Sequence, residues 1–231
     1  MKAVILAAGK GTRMLPLTEK VPKVLIEING KPFLYYVLKS LQKAGYDDLC
    51  LVVGYKKEKI KEFLDEFGFK AELVEQKEQL GTGHALLQAR DFCENDDFIV
   101  LGGDNLWSVD DLKDVGRKRE LNYISGIEVK DSKGYGILIA KGDLLAEIKE
   151  KPERDYGNLI NAGLYKFKPE IWCVLEKVKP SPRGEIELTD AITSLAKKGK
   201  VKVLKLKWWL DLGKIEDIPK VEKFLSENRV C

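Results

Sequence analysis

An apolar run, Ala3 to Ala8, leads directly into Gly9-Lys10-Gly11-Thr12-Arg13-Met14. A short apolar strand that ends at a glycine-rich turn belongs in a buried parallel sheet, with its carboxyl end open to a ligand. Glycine has no side chain to keep backbone N–H groups away from phosphate oxygens. The pattern then repeats. A helix opened by Pro32 runs to about Ala44, with Leu34, Val37, Leu38 and Leu41 on its apolar face. A strand at Leu49 to Val53, an amphipathic helix from about Lys56 to Phe67, a strand near Ala71 to Val74, a helix near Thr82 to Arg90 and a strand at Phe98 to Leu101 follow. Alternation of this kind implies a largely parallel sheet with right-handed crossovers. Residues 1 to about 105 therefore read as a nucleotide-binding half.

After Asp104 the rhythm changes. Tyr123 to Val129, Tyr135 to Ala140, Leu145 to Lys149 and Leu159 to Phe167 are strand-like with few helices between them, which predicts an antiparallel or mixed extension over about 106 to 231. Helices at about Pro169 to Lys177 and Glu187 to Lys198, a strand at Val201 to Leu206 and a helix from about Ile215 to Leu225 complete the chain. The segment Lys179 to Gly184, with two prolines and a glycine, is the one expected mobile loop. No linker separates the halves, so a single α/β domain with one sheet and one cleft is expected.

Composition narrows the functional classes. Charged residues make up 33% of the chain and hydrophobic residues 44%, too apolar for disorder. The net charge is +3 with both signs interspersed, which argues against a nucleic-acid partner. The first apolar run is too short for a signal-peptide core and no later run approaches a membrane span, so the expected location is the cytoplasm, with no membrane partner. Cys50, Cys93, Cys173 and Cys231 are widely spaced without a Cys-x-x-Cys pair and read as buried reduced thiols.

Taken as residue types, the polar candidates leave alternatives open. The glycine loop could be a phosphate cradle, a dinucleotide fingerprint or a tight turn, although Met14 occupies the third glycine position of such a fingerprint. Asp104 follows a strand and two glycines and is either a turn residue or a hard-cation ligand. Asp211 is a lone acid within Trp208-Trp209-Leu210-Asp211-Leu212, either held by a metal or capping the helix near Ile215. Gln76 has an amide suited to reading a nucleobase edge, and Gly81 would let a base pack on bare backbone. His84, the only histidine, has no nucleophile motif beside it and reads as structural, which leaves no Ser-His-Asp or Cys-His triad. Lys151 precedes Pro152 and is expected to be extended. Asn161, alone, reads as a turn residue.

These motifs occur in an order that resembles the sugar-phosphate nucleotidyltransferases. The run Leu6-Ala7-Ala8-Gly9-Lys10-Gly11-Thr12-Arg13, then Pro22-Lys23, Gln76, Leu80-Gly81-Thr82-Gly83, Gly103-Asp104, Tyr135-Gly136, Glu150-Lys151-Pro152, Asn161-Ala162-Gly163 and Trp209-Leu210-Asp211 carries the resemblance over nearly the whole chain. It implies a Rossmann-like α/β fold with a mostly parallel, mixed central sheet flanked by helices. It also implies transfer of a nucleotidyl group from a nucleoside triphosphate to a sugar 1-phosphate, with Mg²⁺ as cofactor. Residue by residue, it assigns Leu6, Ala8, Gly9, Gly11, Thr12, Arg13, Lys23, Gln76, Gly81 and Thr82 to the nucleotide, with Arg13 and Lys23 catalytic. Gly136, Glu150, Lys151 and Asn161 fall to the sugar phosphate, and Asp104 and Asp211 to the metal. The segment from Gln76 to Ala85 looks most like the uridylyltransferases that make UDP-N-acetylglucosamine. Trp209-x-Asp211-x-Gly213 looks more like the glucose-1-phosphate thymidylyl- and uridylyltransferases. The expected nucleotide is UTP or dTTP and the sugar is glucose or N-acetylglucosamine. The competing expectations are a CTP- or GTP-dependent transferase for another phosphorylated alcohol and a non-catalytic regulatory relative. No hexapeptide-repeat acyltransferase domain is expected, and assembly of identical copies is left open.

Overall fold

In the computed structural model, which describes residues 1–228, the glycine loop leaves strand β1 (Lys2–Ala7) at its carboxyl end. After three single 3-10 turns, a two-strand hairpin of β2 (Glu27–Ile28) and β3 (Lys31–Pro32) leads into α1 (Phe33–Ala44). Then come β4 (Leu49–Val53), α2 (Lys57–Phe67), β5 (Glu72–Glu75), the short helices α3 (Thr82–Leu87) and α4 (Arg90–Cys93), and β6 (Phe98–Gly102). The second half contains β7 (Asn105–Trp107), α5 (Val109–Arg117), β8 (Asn122–Glu128), β9 (Ile137–Lys141), β10 (Leu144–Lys149) and β11 (Leu159–Phe167). It ends with α6 (Glu170–Leu175), α7 (Leu188–Ala196), β12 (Val201–Lys205), β13 (Trp209–Asp211) and α8 (Ile218–Asn228).

Nine strands form one sheet in the order β5-β4-β1-β6-β11-β8-β12-β10-β9. The first four are parallel, as the alternation predicts, while β11 runs antiparallel between β6 and β8. From β1 the chain winds outward through β4 and β5, then returns to place β6 on the other flank of β1. The order therefore reverses between β1 and β6. In open α/β sheets such a switch leaves a crevice at the strands' carboxyl ends, because the crossover helices depart to opposite faces. Residues alternate across the sheet accordingly. Ala3, Ile5, Leu51 and Leu101 pack on the face covered by α1, α2 and α5, and Val4, Val52, Phe98 and Val100 on the face covered by α3, α6 and α7. No described helix is long and apolar enough to cross a membrane.

Four local readings are corrected. The helix expected over Thr82 to Arg90 is two helices, α3 and α4, with Ala89 outside the helical region between them. A helix between Asp104 and Tyr123 was not expected, yet α5 forms, capped by the Ser108 hydroxyl accepting from Asp111 N at 2.9 Å. Cys173 is exposed, because on a helix the apolar neighbours Ile171, Trp172 and Leu175 turn inward while position 173 turns out. Cys50 and Cys93 are buried thiols pushed far above their ordinary range by burial, and Cys231 lies outside the described residues. Lys151 is not extended but left-handed, with φ +40°. A lysine held there against the bias of the following proline is strained, and such strain concentrates where a side chain must be aimed.

Candidate active site

A cleft of about 520 Å³ opens at the reversal point and is lined from both halves of the chain. Leu6, Ala8, Gly9, Gln76, Gly81 and Thr82 come from the first half, and Glu150 and Lys151 from the second, with Asp104 between them. The loop between β1 and the first 3-10 turn is shaped by Gly11, whose φ is +64°. A Cβ there would stand 2.8 Å from Lys23 Cβ and 3.0 Å from Thr18 Cγ2, so this position accepts glycine alone. Gly11 O also accepts from the Thr18 hydroxyl at 3.0 Å, which anchors the loop from behind. Gly9 faces open space, consistent with backbone exposed to the cleft.

Asp104 and Asp211 are brought together by a contact no periodicity reveals. β7 and β13 pair antiparallel with Asn105 opposite Asp211, and Leu212 N donates to Asp104 O at 2.9 Å. The Asp104 carboxylate accepts from Lys23 Nζ at 2.6 Å and from Asn105 Nδ2 at 2.7 Å. Burial pushes its pKa up, but the Lys23 charge and these hydrogen bonds outweigh burial and hold it below the ordinary carboxylate range. Asn105 Oδ1 in turn accepts from Trp209 Nε1 at 2.7 Å, tying the two short strands together behind the carboxylates.

Asp211 is the opposite case. Burial, reinforced by the negative charge of Asp104, raises its pKa to about 6, and no donor among the described residues bonds its carboxylate. It does not cap the following turn, because Asp217 Oδ2 accepts from Gly213 N and Lys214 N at 3.0 and 2.9 Å. Two carboxylates close enough to act on each other by charge, one of them without a hydrogen-bond donor, could serve a hard divalent cation, although Asp211 lies outside the lining of the cleft itself. Among the described residues no three His, Cys, Asp or Glu side chains gather as a cage. Two protein oxygens suit Mg²⁺, which ordinarily completes its shell with water and substrate phosphates.

Of the other expected residues, Gly11, Lys23, Gly136 and Asn161 lie outside the lining of the cleft. Arg13 is exposed on the first 3-10 turn and is close enough to act on Asp211 and Tyr135 by charge. Thr12 shares that turn, and neither it nor Arg13 lines the cleft itself. Gly136 leaves room for Glu150, whose Oε1 would be 3.2 Å from a Cβ at that position. Asn161 N donates to Gly136 O at 2.8 Å, while the Asn161 amide binds Tyr165 Oη at 2.9 Å and accepts from Gly163 N at 3.0 Å. Asn161 thus shapes the strand bend in β11.

Gln76 is 3% exposed, with Nε2 donating to Gly81 O at 3.0 Å and lying 3.1 Å from His84 Nδ1. Gly81 has φ +97°, and a Cβ there would meet Ile186 O at 2.7 Å, so its space is filled by the 185–186 backbone. Gly81 also lines the cleft, so glycine at this position has a packing reason on one side and an open face on the other. Ile186 N donates to Leu80 O, Gly83 N to Ile186 O and Leu188 N to Thr82 Oγ1, joining the halves across one side of the cleft. This junction brings in Arg183, paired with Glu187 at 2.5 Å, which sequence reasoning missed. No local pattern marks Arg183, because residues 183–187 lie outside any helix and the i,i+4 rule applies only within one. His84 is a structural histidine, as expected, bonded through its ring and its carbonyl.

Residues 2–228 match the family described as nucleotidyl transferase. The chain belongs to that family. It is 42% identical over 230 residues to the "Bifunctional protein GlmU" of Methanocaldococcus jannaschii, covering 99% of this chain and 55% of that one. It is 37% identical over 239 residues to the "UTP--glucose-1-phosphate uridylyltransferase AglF" of Haloferax volcanii, covering 99% and 98%. A crystal structure of a UDP-glucose pyrophosphorylase complexed with UDP-glucose superposes with a TM-score of 0.87 at 25% identity, covering 99% of both chains. Nucleotidyl transferases of this kind generally use a divalent metal, in keeping with the paired carboxylates of Asp104 and Asp211.

Proposed function

We propose that this nucleotidyl transferase joins a pyrimidine nucleoside triphosphate, UTP or dTTP, to a sugar 1-phosphate, glucose or N-acetylglucosamine, releasing pyrophosphate. The observation that carries this reading is the cleft at the β1/β6 reversal, lined by Gly9 of the glycine loop, Gln76 and Thr82 from the first half and by Glu150 and Lys151 from the second, with Asp104 between. A sugar 1-phosphate oxygen attacks the α-phosphorus of the triphosphate in line, and the bond to the β-phosphate oxygen breaks. A phosphate monoester with a second pKa of about 6 is mostly dianionic at neutral pH, so the nucleophile needs no general base. This agrees with a cleft whose nearest histidine is engaged with two glutamines.

The chain's task is positioning and charge neutralisation. The loop amides near Gly9 and Gly11, with Arg13 and Lys23, hold the triphosphate, and Lys151 and Arg183 are the cations for the sugar phosphate. Glu150 accepts from sugar hydroxyls. Asp104 and Asp211 would hold Mg²⁺, which when bound screens the triphosphate charge. With the Gln76 amide nitrogen donating to Gly81 O and lying against His84 Nδ1, the group left for the base is its Oε1, an acceptor that suits the imide N–H of uracil or thymine.

Incubating the protein with Mg²⁺, each triphosphate and a panel of sugar 1-phosphates, and measuring pyrophosphate, tests the reading. Pyrophosphate is expected with UTP or dTTP and glucose or N-acetylglucosamine 1-phosphate. Turnover confined to CTP or GTP, or to other phosphorylated alcohols, contradicts it.

A further inference from the structure

Gln88, His84, Gln76 and Gly81 form a chain of polar contacts behind the cleft wall, in which only one arrangement of hydrogens satisfies Gln76. Gly81 O is a carbonyl and can only accept, so the group 3.0 Å from it must be the Gln76 amide nitrogen. That nitrogen is also 3.1 Å from His84 Nδ1, which therefore accepts. A neutral imidazole has one acceptor nitrogen, so the ring hydrogen lies on Nε2. The Gln88 amide nitrogen, 3.1 Å from His84 O and 3.3 Å from Nε2, then donates to the carbonyl alone. In the other tautomer Nδ1–H would require Gln76 to turn its oxygen inward, setting that oxygen against Gly81 O and presenting the amide NH₂ to the cleft. The two tautomers thus present opposite hydrogen-bonding groups.

Gln76 is 97% buried, lines the cleft, and has no donor to its Oε1 among the described residues. Within this largely buried residue Oε1 is the polar atom left open to the cleft, where a ligand N–H can reach it. We propose that His84 is a positioning residue for base choice: its Nε2–H tautomer fixes the Gln76 amide with Oε1 toward the base, favouring uracil or thymine, which carry an N–H at N3, over cytosine, which carries an acceptor there. This rests on the nucleotidyl-transfer reading of the cleft, yet His84 touches neither substrate and acts only through Gln76.

His84 is the sole histidine, so ¹⁵N spectra of the wild-type protein contain one pair of imidazole signals needing no assignment. The expected spectrum shows a protonated Nε2 and an unprotonated Nδ1 in the presence and absence of UTP. A protonated Nδ1 overturns the proposal. In kinetics, His84→Leu removes the acceptor, and the ratio of kcat/KM for UTP to that for CTP should fall by about threefold to tenfold while the KM for sugar phosphate is unmoved. His84→Asn places an amide oxygen near the former Nδ1 and should restore most of the ratio. An unchanged ratio in His84→Leu, or equal loss in both variants, overturns the proposal, and should His84→Leu not fold, the wild-type spectrum decides. Calorimetric binding of UTP and CTP separates this idea from the reaction: selective UTP binding without turnover supports the base proposal and overturns nucleotidyl transfer.

Discussion

Lys23 Nζ lies 2.6 Å from Asp104 Oδ2, and the pair is largely shielded, with side-chain exposures of 10% and 29%. The Lys23 ammonium thus occupies one oxygen of a carboxylate proposed to bind Mg²⁺. The ammonium and the metal compete for the same oxygen. Removing the ammonium should strengthen metal binding to the nucleotide-free protein while weakening the hold on the triphosphate.

Lys23→Ala should therefore bind Mn²⁺, read by electron paramagnetic resonance without substrates, about tenfold more tightly than wild type. Turnover should fall on the order of 10² to 10³-fold, as for other preorganised electrostatic donors. Weaker Mn²⁺ binding in the variant would show that Lys23 supports the metal site instead of competing for it.

Asp211 predicts an unusual pH dependence of stability. Its pKa of about 6 in the fold is above the ordinary 3.8, so between those values the folded chain holds a proton that the unfolded chain releases. Stability from this group is present below about pH 4 and declines as pH rises through 6. Asp211→Asn removes the decline. The metal-free variant should be more stable than wild type by on the order of 2 kcal/mol at pH 7.5, a rise of several degrees in Tm, with little difference at pH 4. It should also have lost most turnover. Calorimetric melting at the two pH values checks this, and a variant less stable than wild type at pH 7.5 would assign Asp211 a structural role.

Gly81 predicts damage on both sides of the cleft. A Cβ there meets Ile186 O at 2.7 Å and Glu185 Cβ at 2.9 Å, in a backbone with φ +97°. Gly81→Ala should cost about 1–3 kcal/mol and loosen the junction of residues 80–83 with 185–188. The KM for sugar phosphate should rise together with that for triphosphate. A rise confined to the triphosphate would restore the simpler idea that Gly81 borders the base alone.

What was legible in the sequence follows the range over which each feature is determined. Strands β1, β4 and β6 announce themselves because burial on both faces demands unbroken apolar runs, and Gly9 to Arg13 is a local loop whose chemistry travels with its residues. Helix α5 was legible and overlooked: Ser108 followed three residues later by Asp111 is a cap signal. The β7/β13 pair was not legible, since three-residue strands have no measurable period and exist through each other. Asp104 and Asp211 could be named by resemblance, but their meeting across Asn105 and Leu212 is a tertiary fact. The same holds for Gly81, whose reason is the 185–186 backbone about a hundred residues away.

The measurement that tests nucleotidyl transfer most directly follows the phosphate oxygens. Glucose 1-phosphate carrying ¹⁸O in its three non-bridging oxygens is incubated with UTP, Mg²⁺ and the protein, and the products are read by ³¹P NMR and mass spectrometry. Attack by the sugar phosphate on the α-phosphorus predicts that all three labelled oxygens remain in the nucleotide sugar, one of them bridging the two phosphates, and that unlabelled pyrophosphate appears in equal amount. Label in pyrophosphate or free phosphate, or loss of UTP without a nucleotide sugar, would contradict the account.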